Sequence, residues 1–116
     1  MVVFTTCLGC QTSHVTTSSE LIGLWQTSTP EYRDRYLEIT NSQMIFSSEG
    51  KVISIYAITK IKKFDQKDNW VLYTFDCDPY NNNDLEKQTV SIQYNPDNGG
   101  TIKFKNKDKV VWKRKV

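Results

Sequence analysis

Gly23-Leu24-Trp25-Gln26 is the stretch on which the reading of this chain turns. It stands at the head of a long run of short segments in which apolar and polar residues alternate. A glycine followed two residues later by tryptophan suits the first strand of a small closed barrel. Glycine lets the chain bend in from its lead-in, and the indole then plugs the narrow end of the interior. The motif bears on architecture and says little about activity.

Downstream the period is mostly two, the signature of strands. Leu37 and Ile39 alternate with Tyr36 and Glu38, and Met44 and Phe46 alternate with Gln43 and Ile45. Asn41-Ser42 between them closes a tight hairpin, which sets Ile39 opposite Met44 and Leu37 opposite Phe46 on one face. Ser48-Glu49-Gly50 makes the next turn. A β-rich run from Lys51 to Phe64 then carries Ile53, Ile55, Ala57, Thr59 and Ile61 on one parity and Val52, Tyr56 and Ile58 on the other. The second parity switches to Lys60 and Lys62, so this strand is expected to bend or bulge partway.

Asp65 to Asn69 is a polar turn, Trp70 to Cys77 a strand, and Asp78 to Asp84 the longest loop. Val90, Ile92 and Tyr94 alternate with Thr89, Ser91 and Gln93, and Asn95 to Gly100 turns the chain again. Ile102 and Phe104 alternate with lysines, and Val110, Trp112 and Arg114 share a face of the last strand. With one short helix at most, around Ser18 to Ile22, these seven or eight strands predict an all-β, single small antiparallel up-and-down barrel spanning 21–116.

The 116 residues allow one modest core, and 38% hydrophobic with 24% charged residues is an ordinary globular composition. Three Trp, six Tyr and five Phe among Ile- and Val-rich segments favour strands. The net charge of +2 is too small to imply a polyanionic partner. From Thr101 to Val116 seven Lys and Arg face one Asp, a balance of +6, so the rest of the chain carries −4. Those lysines alternate with Ile102, Phe104 and Val110, as on a solvated outer face. Nucleic-acid binding would want aromatics on the same basic face, and they fall on the opposite parity; no nucleic-acid partner is expected.

Residues 1–20 read differently. Met1 to Cys10 is apolar and small, and Gln11 to Ser19 is dominated by Ser and Thr. An apolar stretch ending in Leu8-Gly9-Cys10, then a polar tether and a compact domain, resembles the cleavage region of a bacterial lipoprotein. That resemblance implies lipidation at Cys10, a membrane anchor and a location in the bacterial cell envelope. Cys7, Cys10, His14 and Cys77 make a poor zinc set because a second tight ligand pair is missing. Cys77 reads as a small hydrophobe on a strand.

Gly23-x-Trp25 on a first strand, the antiparallel meander and Arg114 near the last strand together resemble the lipocalin and fatty-acid-binding group of barrels. The resemblance implies a basic residue lying across the first-strand indole, here Arg114 over Trp25. It also implies a small apolar or amphipathic ligand held among Leu37, Ile39, Met44, Phe46, Val90, Ile92, Tyr94 and Phe104. Those side chains are large, which leans towards a barrel filled by its own side chains. The chain would then be an envelope module that binds a protein through Asp78, Tyr80 and Asp84. Asp76 to Lys87 lacks the glycine and glutamate of a calcium loop, so no metal is expected. The single histidine lies in the tether and the carboxylates are scattered through turns. No enzyme and no cofactor are expected.

Overall fold

The computed structural model describes residues 17–80 and 86–115. Expectations for Cys7, Cys10, His14 and Asp84 lie outside the described residues. Eight strands form a closed antiparallel up-and-down barrel: β1 (Gly23–Gln26), β2 (Arg35–Ile39), β3 (Gln43–Ser48), β4 (Lys51–Asp65), β5 (Val71–Pro79), β6 (Gln88–Asn95), β7 (Thr101–Phe104) and β8 (Lys107–Arg114). Each pairs with its neighbour in sequence, and β1 meets β8 through Trp25 opposite Arg114 and Gln26 opposite Lys113. Closure leaves no free sheet edge.

The β2–β3 hairpin has the register its alternation dictates, with Ile39 opposite Met44 and Leu37 opposite Phe46. β4 is the longest strand, at 15 residues, and its ladder slips twice: against β3 between Phe46 and Ser47, and against β5 between Ile58 and Lys60. The second slip explains the parity switch in the sequence. Tyr56 and Ile58 are buried, and after the extra residue it is Ile61 that packs against the core. The bulge therefore bends the sheet while keeping apolar side chains inside.

β5 runs two residues further than its alternation suggests. Asp78 and Pro79 read as the start of a loop, but long β4 offers them partners in Ala57 and Tyr56. Tyr80 then donates its backbone N–H to Ile55. The short helix of the lead-in is a single 3-10 turn, Ser19–Leu21.

The core fills the barrel from its middle to one end. Leu37, Ile39, Met44, Phe75, Ile92 and Ile102 are fully buried, with Leu21 and Trp25 capping them at the Gly23 end. Burying each such side chain stabilises the fold by about 1.5–3 kcal/mol, before the entropy of ordering is counted. This asymmetric filling leaves the opposite end as the place where a cavity remains.

Candidate functional site

The two ends of the barrel are built on different chemistry. At the Gly23 end the lead-in segment, 17–22, crosses the opening as a strap. Thr17 donates through both its N–H and its hydroxyl to the Asn41 carbonyl, each at 3.1 Å. Leu21 inserts below it, and its carbonyl accepts the Trp25 indole N–H at 2.9 Å. The Arg114 guanidinium lies over the Trp25 ring, 4.7 Å from its centroid, and donates to the Glu20 carbonyl. Arg114 thus covers the Trp25 ring in a cation–π contact. Gly23 is what permits the approach: its φ is +148°, and a Cβ there would stand 3.2 Å from Arg114 Nε.

Tyr73 and Tyr94 complete this end. Tyr73 donates its hydroxyl to the Glu20 carboxylate, and Tyr94 meets Trp25 edge-on with centroids 6.5 Å apart. Burial, reinforced by Glu20, pushes the Tyr73 hydroxyl up to about 12. Strap, indole and guanidinium leave this end sealed.

The other end is open. Between β2, β3, β4 and the β7–β8 hairpin lies a cavity of about 380 Å³. Leu37, Phe46, Phe104, Val110 and Trp112 supply its apolar wall and floor, and Tyr32, Arg35, Tyr36 and Lys107 its rim. A second lobe of about 510 Å³ adjoins it, shares Phe46, Phe104 and Asn106, and extends to Val90 and Lys105. Both lobes fall within the roughly 300–1,000 Å³ of small-molecule sites. The Phe46 and Phe104 rings stand 6.5 Å apart between the lobes, and Phe104 meets Trp112 edge-on at 5.8 Å. The Trp112 indole N–H is buried and finds no acceptor among the described residues. Such an orphaned donor costs about 1–3 kcal/mol until an oxygen reaches it.

The residues expected from sequence to line a ligand site separate along the barrel axis. Leu37, Phe46, Val90 and Phe104 come together at the mouth. Ile39, Met44 and Ile92 are fully buried below it, while Tyr94 belongs to the sealed end. Tyr32, Arg35, Tyr36, Val110 and Trp112 also line the mouth, beyond the residues expected from sequence. Val110 and Trp112 were legible as one face of β8. Tyr32 comes from a 3-10 turn, Pro30–Tyr32, which has no apolar period to betray it.

The remaining candidates lie outside the mouth cavity. Asp78 is half-buried at the end of β5, and Tyr80 beyond it is 46% exposed. The Cys77 side chain is buried in the core, and burial, with Asp76 and Asp78 nearby, pushes its thiol up to about 11. Among the described residues no three His, Cys, Asp or Glu are grouped to hold a metal ion. On the outer wall the Lys103 ammonium lies 4.2 Å above the Trp70 ring, so that aromatic surface is already covered. Comparison with protein families, curated proteins and solved structures finds no match for this chain.

Proposed function

We propose that this chain is a non-enzymatic, lipocalin-like carrier that binds one small apolar or amphipathic molecule in the mouth of its barrel. One observation carries the reading: a single barrel sealed at one end keeps an aromatic-lined cavity of about 380 Å³ at the other. Rigid walls of strand backbone and interlocked rings favour a pre-formed site, so little binding energy goes into ordering it. An anchor at Cys10 would hold the carrier at the bacterial envelope, close to membrane-derived ligands.

Uptake of a neutral apolar dye such as Nile red tests the reading. The dye's emission is expected to rise and shift to the blue on titration with the full chain. Val110→Glu, at the partly exposed cavity wall, sets an unpaired carboxylate against the apolar body and is expected to abolish the rise with the fold intact. Unchanged uptake by that variant would place the dye elsewhere and defeat the proposal.

A second reading rests on the nearly half-exposed Tyr80 beside Asp78. They would form the contact patch of a protein-binding envelope module, with Tyr80 as its aromatic anchor. Replacing Asp78 and Tyr80 together should then abolish partner capture and leave dye uptake untouched.

A further inference from the structure

The ring of strands is closed, but its longest member overshoots it. β3 accompanies β4 only as far as Ala57, and Ile58 then donates its N–H to Ser42 in the β2–β3 turn. β4 continues to Asp65 with β5 alongside, so the β4–β5 hairpin projects past the sealed end. Its turn, 66–69, is exposed throughout.

Period two fixes what the outer face of this hairpin presents. Phe64 pairs with Leu72 and Lys62 with Thr74, and the row from Leu72 continues through Gln93 to Lys103. Trp70 stands at the head of β5, in a shallow groove shared with Lys67, Asp68 and Lys103. Lysines alone are the ordinary guard of a projecting strand. A phenyl ring 52% exposed among them is not, and Phe64 is continuous with half-buried Leu72 and Trp70.

The mixture selects the partner. Lysine is depleted from the cores of protein interfaces, where its ammonium would lose its water. At a bilayer surface the ammonium stays hydrated, its stem lies along apolar carbon, and neighbouring rings enter the headgroup layer. The lead-in arrives at the same place, because Thr17 is pinned to Asn41, next to Ser42. An anchor at Cys10 would bring this end towards the membrane, and an acyl chain with a basic patch makes the two signals of stable anchoring. We propose that the outer wall of the β4–β5 hairpin docks on an anionic bilayer surface. Phe64 and Leu72 enter the headgroup layer, and Lys62, Lys67 and Lys103 meet lipid phosphates, whatever the mouth carries.

Vesicle flotation of the full chain carrying C10A, so that no acyl chain contributes, tests the proposal. Vesicles of equal parts phosphatidylglycerol and phosphatidylcholine are expected to carry the chain, and added salt to release it. Vesicles of phosphatidylcholine alone should leave it behind. Lys62, Phe64 and Lys67 are exposed, so K62Q/K67Q and F64S are expected to keep the parent's circular dichroism. The first should bind about thirty-fold and the second about ten-fold more weakly. V110E, altered at the mouth, should float as the parent does.

Absence of binding to the anionic vesicles would overturn the proposal and leave the carrier reading untouched. Full binding by F64S would reduce the contact to diffuse charge attraction and overturn the docking of this wall. Flotation lost in V110E but kept in K62Q/K67Q would move the contact to the mouth, and would overturn it equally.

Discussion

Two buried acids, Tyr73 and Cys77, are neutral at ordinary pH and pinned in that form by the barrel. The Tyr73 hydroxyl is pushed from 10.0 to about 12, chiefly by burial and then by Glu20, and the Cys77 thiol from 9.0 to about 11, again chiefly by burial. The unfolded chain therefore releases both protons first and binds fewer of them as pH rises, so stability falls with pH. Their contribution is complete below pH 9 and is lost progressively, for Cys77 between 9 and 11 and for Tyr73 between 10 and 12. Urea midpoints measured from pH 7 to 11 should fall from about pH 9 upward, and less steeply in a Cys77→Ala variant. A parallel fall in parent and variant would mean that Cys77 titrates normally. At this scale the sequence was readable where identity alone carries the chemistry. Gly23, Trp25 and Arg114 stood out because one small, one large and one cationic residue suffice for the cover. Trp112's orphaned N–H had no such signal, because only the finished walls decide whether an acceptor reaches it.

Among the elements, the strap and β4 show what periodicity can and cannot reveal. The hairpin register was legible because period two and a two-residue turn fix it locally. The bulge in β4 was legible as a parity switch, since an extra residue exchanges faces. The strap was not: its anchors join Glu20 to Tyr73 and Arg114, 53 and 94 residues away, and no local pattern records such pairs. Its energetic weight is testable. Leu21 is as fully buried as Trp25, whose N–H it accepts, so the strap is part of the core rather than a covering. Leu21→Ala should cost about 2–5 kcal/mol and Trp25→Ala about 3–5 kcal/mol by urea denaturation. A Leu21→Ala cost within about 0.5 kcal/mol would show the strap to be peripheral.

For the molecule as a whole, the division of labour between its ends follows from how eight strands close. A barrel of this size is just wide enough to be filled by side chains or to hold one small ligand, and this one does the first at one end while leaving room at the other. Sequence alternation located the inward faces but not the height of each side chain along the axis. Ile39 and Phe46, both read as inward, accordingly end up in the sealed core and at the open mouth. Tilt and closure set that height, and they depend on all the strands at once. The three tryptophans now report on three places: Trp25 at the sealed end, Trp70 beneath Lys103 on the outer wall, and Trp112 in the floor of the mouth. Their indole N–H resonances, followed by nuclear magnetic resonance during titration with decanoate, test the account most directly. The Trp112 signal is expected to move saturably while those of Trp25 and Trp70 hold still; a titration that leaves Trp112 in place, or that moves Trp25 instead, would contradict an account with one open end.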